Sequence, residues 1–155
     1  MTIRIKGLSV TPLSVISDEY GSVLHLLRSD DPAFLGFGEC YCSETLPGAV
    51  KAWKRHNLQT QCLAVPIGCL RLVVFDNRPS SQTCGVINVI ELGRPDSYAR
   101  VIISPGLWYG FKAIGKSPAL IVNCVNRPHH RQESDRLPAY SEVIPYRWDT
   151  LGDRC

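Results

Sequence analysis

Eleven prolines and twelve glycines scatter along the 155 residues and cut the chain into short segments, nearly all rich in Val, Ile, Leu, Tyr or Phe. β-Branched and aromatic side chains pack well on a pleated surface, and breakers at short intervals mark turns. Many short strands at even spacing predict an all-β sandwich or barrel rather than a helical bundle. Segments 3–8, 22–27, 34–42, 86–92, 98–103, 107–114 and 119–125 read as strands, with turns at 18–21, 93–96 and 104–106. Stretches 44–48 and 79–83 read as loops, 126–137 is polar with room for one short helical turn, and 141–148 is a last extended segment. There is no internal repeat and no amphipathic helix. At this length the chain predicts one domain, a barrel over 1–148 followed by a tail at 149–155.

The stretch that carries chemistry runs from 48 to 78, GAVKAWKRHNLQTQCLAVPIGCLRLVVFDNR. It reads as two strands joined by a polar turn, the first bearing Lys51, Lys54 and His56 and the second the apolar run 70–75. Side chains alternate along a strand, so Lys54 and His56 share one face while Trp53 and Arg55 share the other. If the first face points into a barrel mouth, an amine and an imidazole project together into one cavity.

Charge and cysteine usage narrow the class. A net charge of +3 without a basic run gives no footprint for nucleic acid, although a few cations focused in a cleft would suit an anionic small molecule. No segment reaches the length of a membrane span. The opening residues MTIRIKGLSV have neither a long apolar core nor a small-residue cleavage site, so no signal peptide is expected. Seven cysteines form no CxxC pair, and Cys62, Cys69 and Cys124 lie inside apolar runs, where a thiol behaves as a small hydrophobe. Cys40 and Cys42 fall on one side of an expected strand. The reading is a reduced, cytoplasmic, soluble protein.

A further set of landmarks carries a resemblance. These are the D-x-x-G turn at Asp18 to Gly21, Pro47-Gly48, Lys51 three positions before Lys54, and Gly68 ahead of a strand ending in Asp76-x-Arg78. The run from Pro105 to Phe111 and the ending Ile144-Pro145-Tyr146-Arg147-Trp148 complete it. In order and spacing the chain resembles the dTDP-sugar isomerase family, typified by dTDP-4-dehydrorhamnose 3,5-epimerase. The resemblance implies a cupin-type jelly-roll barrel (a double-stranded β-helix), a homodimer exchanging N-terminal strands, and proton abstraction beside a sugar keto group. No cofactor is implied, because the substrate carbonyl is the electron sink.

Carried over position by position, the family's catalytic histidine falls on Lys54, the glutamine after it on His56 and the arginine before it on Lys51. The strand lysine after the hairpin turn falls on Cys62, and the opposite-face tyrosine falls near Val122. The arginine of the first turn becomes Tyr20, and an arm glutamate becomes His25. The carboxylate that orients the base lies somewhere in 133–142, with Asp135 and Glu142 as candidates. The metal-ligand places of a metal-binding cupin read Lys54, His56, Gln61 and Tyr109, a poor set for a divalent ion, so no metal is expected.

The resulting site has Lys54, His56 and Tyr109 handling protons, with Lys51, Gln61, Arg71, Tyr20 and His25 contacting substrate. Each has a plainer reading. Lys54 inside the barrel is a desolvated base, a carbonyl-polarising cation or a Schiff-base amine; at the strand end it is a solvated ammonium or a phosphate contact. His56 is a base beside Lys54 or a structural histidine, Tyr109 a proton donor or an aromatic filler. The implied function is an epimerase- or isomerase-like enzyme on a nucleotide-diphosphate 4-keto sugar, acting by enolisation. The alternatives are a non-catalytic sugar-nucleotide or glycan-binding relative, or a barrel repurposed for natural-product assembly.

Overall fold

The computed structural model describes residues 2–149, so the expected tail lies outside the described residues apart from Asp149. The strands are β1 (Leu8–Pro12), β2 (Val15–Ser17), β3 (Ser22–Leu24), β4 (Glu39–Thr45), β5 (Val50–His56), β6 (Gln61–Ile67), β7 (Cys69–Phe75), β8 (Ile87–Gly93), β9 (Ala99–Ile103), β10 (Trp108–Ile114), β11 (Ala119–Val125) and β12 (Ser134–Arg136). Ten of them form two five-stranded sheets, ordered β1-β9-β6-β11-β4 and β12-β5-β10-β7-β8, and β2 pairs only with β3. Every strand pairing is antiparallel. This is the double-sheet jelly roll that the resemblance implies, closed around one apolar interior. There is no helix among the described residues, and none long and apolar enough to cross a membrane.

The interior between the sheets holds Leu63, Val65, Leu70, Leu72, Val74, Ile90, Val101, Ile103 and Ile121. A second cluster covers the outer face of the β5–β10–β7 sheet: Trp53, Val73, Phe75 and Trp108 lie under Ile144 and Trp148 of the closing segment. Alternation along β7 explains both, since Leu70, Leu72 and Val74 point in while Val73 and Phe75 point out. Segment 141–148 is therefore a cover rather than a strand. Trp53 donates its indole N–H to the Ala139 carbonyl at 3.1 Å and packs 5.0 Å from Trp148.

Four expectations are corrected. The stretch 48–78 makes three strands, because Gly68 (φ 72°) turns β6 directly into β7 and sends them to different sheets. A side chain there would come within 2.3 Å of the Pro118 carbonyl oxygen. Residues 3–8 are not a strand: the Asn88 side-chain oxygen accepts the Arg4 and Ile5 N–H groups at 3.1 and 3.2 Å, and the first ladder begins at Leu8. The third predicted strand starts five residues late and runs to Thr45, through what reads as loop. The thiol set is not uniformly reduced either. Cys69 is disulfide-bonded, while Cys40, Cys42, Cys62, Cys84 and Cys124 are free.

One irregularity positions the site. Tyr109 pairs with Lys54, but two residues later Phe111 pairs with Lys51, so Ala52 and Trp53 of β5 together face Gly110 of β10. This two-for-one β-bulge resets the alternation, which lets Lys51 and Lys54 face inward despite their odd spacing. Gly110 is required at this point: a Cβ would sit 2.5 Å from the Ala52 Cβ and 3.0 Å from Trp148.

Candidate active site

A cavity of about 420 Å³ opens between the two sheets. One wall comes from β5, β10 and β12 and carries Lys51, Lys54, Tyr109 and Arg136; the facing wall, from β4 and β11, carries Tyr41 and Asn123. Lys54 sits between Tyr109 and Arg136 in the ladder, their direct cross-strand partner on either side. Burial, then the Arg136 charge, holds its amine below the ordinary lysine value. Lys51 donates from its ammonium to the Ser43 hydroxyl at 3.2 Å and to the Glu44 carbonyl oxygen.

His56 lies on the same inner face as Lys54, as alternation predicts, but it does not line the cavity and is only 3% exposed. Its ring stacks on Tyr109, with centroids 6.1 Å apart and planes 13° off parallel. Its Nδ1 is 2.5 Å from Glu133 Oε2. Glu133 Oε1 accepts the backbone N–H of Leu58 at 2.8 Å and of Gln59 at 2.7 Å. Burial raises the Glu133 pKa, but the Leu58 N–H, His56 and the Gln59 N–H outweigh it and hold the carboxyl below its usual range. An ionised acceptor at Nδ1 fixes the proton there, so Nε2 carries the lone pair, and Nε2 has no partner among the described residues. Burial, opposed by the Glu133 bond and helped by the Lys54 charge, keeps the imidazole pKa below its ordinary value.

An amide relay ties the two walls together. Asn123 donates from Nδ2 to the Tyr41 hydroxyl oxygen at 2.9 Å and to Gln61 Oε1 at 2.8 Å. The Tyr109 hydroxyl donates to the same Gln61 oxygen at 3.4 Å, and Gln61 donates to Gln59 at 2.8 Å. Burial pushes both phenols above the ordinary tyrosine range, so each stays protonated. Because Tyr41 accepts from Asn123, its own O–H is left to point at whatever occupies the cavity.

The structure thus brings Lys51, Lys54 and Tyr109 to one cavity, with His56 and Gln61 packed behind it. It places three others elsewhere. Arg71 points to the outer face, where it is buried against Glu91 at 2.9 Å. Tyr20 is 89% exposed at the tip of the β2–β3 hairpin. His25 lines a separate cleft with Asp31 and Arg100. Of the residues weighed as carboxylate partner, Asp135 pairs with Arg55 at 2.7 Å and Glu142 is exposed; the carboxylate that meets a ring of the inner face is Glu133, against His56. Tyr41 and Asn123 were not legible as site residues. Their one signal is alternation: on β4 the faces opposite Cys40 and Cys42 belong to Tyr41 and Ser43. Among the described residues no three His, Cys, Asp or Glu side chains converge on one point.

Comparison with known proteins bears on this geometry. The chain is 47% identical to the dTDP sugar isomerase of Desulfovibrio desulfuricans G20, whose crystal structure superposes with a TM-score of 0.94 over 96% of this chain and 95% of that one. It is 33% identical over 146 residues to the probable low-salt glycan biosynthesis epimerase Agl13 of Haloferax volcanii, covering 92% of this chain and 89% of the relative. It is 29% identical over 148 residues to the spore coat polysaccharide biosynthesis protein SpsL of Bacillus subtilis, covering 94% and 97%. No family model matches the chain.

Proposed function

The chain belongs to the family of dTDP-sugar isomerases and dTDP-4-dehydrorhamnose 3,5-epimerases, and from that premise we propose that it is an epimerase or isomerase of a nucleotide-linked 4-keto sugar acting by enolisation at one centre. The observation that carries this reading is the opposition of Lys54 on one wall to the Tyr41 hydroxyl on the other, across a cavity of about 420 Å³. Lys54, its amine made less basic by burial, removes the proton from the carbon next to the ketone. The C–H electron pair forms the C=C bond and the carbonyl pair moves onto oxygen. Tyr109, kept protonated, swings its one O–H from its long 3.4 Å bond to Gln61 onto that oxygen as its charge develops. Tyr41 returns a proton to the opposite face, which inverts the centre.

His56 and Glu133 act in this reading as positioning residues: the ring supports Tyr109 from behind and Glu133 fixes the ring. Lys51 and Arg136, at the cavity wall, take the diphosphate. The carbonyl serves as electron sink, so the scheme calls on no cofactor or metal. We place the activity in the cytoplasm, with a nucleotide-carried intermediate as substrate. The working unit is a homodimer. The β2–β3 hairpin pairs with no other strand among the described residues and leaves Ile16 57% and Val23 61% exposed, and in a dimer it would carry Tyr20 and His25 toward a partner.

The test is solvent deuterium exchange with a panel of nucleotide-linked 4-keto sugars, dTDP-linked ones first. Label is expected at the carbon beside the carbonyl, and Lys54→Met is expected to slow its entry by about 100-fold or more. A panel that binds in the cavity yet exchanges nothing would make the protein a sugar-nucleotide binder. Undiminished exchange in Lys54→Met would remove Lys54 as the base.

A further inference from the structure

Behind the wall that carries Tyr41 and Asn123 lies a pair of thiols with no part in the chemistry above. Cys40 and Cys124 are directly opposite one another on β4 and β11, with their sulfurs 3.0 Å apart. They alternate with Tyr41 and Asn123, so they lie on the outer face of the sheet. We propose that Cys40 and Cys124 form a reversible cross-strand disulfide, an oxidation site that locks the edge strand β4 to the barrel.

The geometry is already close to that of the bond. Directly opposed residues of an antiparallel pair have Cα atoms about 4.5–5.5 Å apart, inside the roughly 4.4–6.8 Å that a disulfide spans. The two side chains are turned toward each other, so closure needs a small rotation and no movement of the backbone. No comparable partner faces Cys42, the next outward residue of β4, because Val122 stands opposite it. Cys62 lines the same crevice as Cys124 and is its rival partner, but it is buried, and burial pushes its thiol up to about 11.

The order of attack follows from exposure. Cys40 is exposed and meets the oxidant first, whereas burial and then the Cys40 contact push the Cys124 thiol up to about 12. With a small disulfide such as oxidised glutathione as oxidant, the Cys40 thiolate attacks one of its sulfurs and expels one glutathione thiolate. Cys124 then gives up its proton and attacks the Cys40 sulfur, expelling the second. The protein loses two electrons and two protons, and the small disulfide becomes two thiols.

The lock matters because, among the described residues, β4 is held on one side only, by β11, at the edge of its sheet. It supplies Tyr41 and Ser43 to the cavity and the Glu44 carbonyl to Lys51. A bond between residues 40 and 124 fixes this strand one residue from Tyr41 and one from Asn123. The test treats the native protein with oxidised glutathione, blocks free thiols and maps peptides without reductant. The expected product is a Cys40–Cys124 linked peptide that dithiothreitol reverses, with slower amide exchange in β4. Cys124→Ser should instead trap glutathione on Cys40. A Cys62–Cys124 or Cys40–Cys42 link, or a glutathione adduct on Cys40 that persists in the wild type, overturns the pairing. Unchanged exchange in β4 after the link has formed overturns the lock.

Discussion

Replacing Glu133 by Gln separates the charge of the His56 partner from its shape. The carboxylate accepts three bonds: from His56 at 2.5 Å and from the Leu58 and Gln59 N–H groups at 2.8 and 2.7 Å. Bonds to a charged acceptor are worth about 1.5–3 kcal/mol each, roughly twice a neutral one. In the variant the amide oxygen keeps the two backbone donors at about half strength, a loss of about 1.5 kcal/mol. The amide NH₂ then faces Nδ1–H, donor against donor, and about 2 kcal/mol more is lost. The ring relieves this by moving its proton to Nε2, which recovers about 1 kcal/mol and leaves a net cost of about 2–3 kcal/mol. In urea that lowers the unfolding midpoint by about 0.7–3 M, given a slope of about 1–3 kcal/mol/M. Nitrogen-15 NMR of the imidazole reads the tautomer directly: Nδ1–H in the wild type, Nε2–H in the variant. An unchanged tautomer together with a midpoint within about 0.3 M of wild type would refute the assignment of Glu133 as the group that fixes the ring.

Three other outcomes are expected. With Lys54 as base, kcat/KM rises with pH to a limit set by an amine titrating below the ordinary 10.5, and a pH–rate profile of Lys54→Met lacks that limb in whatever activity remains. His56 and Glu133 both bind protons less readily folded than unfolded, so the stability they confer is complete above their ordinary values of 6.5 and 4.5. It is lost as the pH falls below 6.5 for His56 and then below 4.5 for Glu133; urea midpoints measured down the scale should show both steps, and His56→Gln should remove the upper one. Gly110→Ala puts a methyl 2.5 Å from Ala52, and calorimetry should show a lowered Tm. Overpacking of this kind costs about 1–3 kcal/mol, or about 2–4 °C per kcal/mol for a chain of this size.

The regular strands were readable where breakers and periodicity agree. The segments at 98–103, 107–114 and 119–125 lie within a residue or so of β9, β10 and β11. Sequence reasoning went astray where pairing is decided at a distance. β6 is buried along most of its length and carries no alternation to count, and only its partners β9 and β11 distinguish it from a turn region. Residues 3–8 have strand composition, but a side chain, Asn88, takes their backbone donors. The inward register of Lys54 was legible because two residues of plain alternation link it to His56. The outward placement of Arg71 was legible too, since Leu70 and Leu72 flank it, but it was outweighed by its charge. Glu133 could not be singled out, because its partner lies 77 residues away and its backbone donors come from a turn.

The extra residue at Ala52-Trp53 divides β5 into two independently phased halves. Upstream of it, Lys51 pairs with Phe111; downstream, Lys54 pairs with Tyr109 and His56 with Ser134 of β12. Shortening the strand by one residue at that point would close the bulge into plain alternation and leave both lysines facing inward; flattening the bulge without removing a residue is what would turn the phosphate-side lysine out of the barrel. A lineage could therefore trim this strand by one residue and keep both amines in the barrel, whereas a full-length strand holds them together only as long as the kink persists.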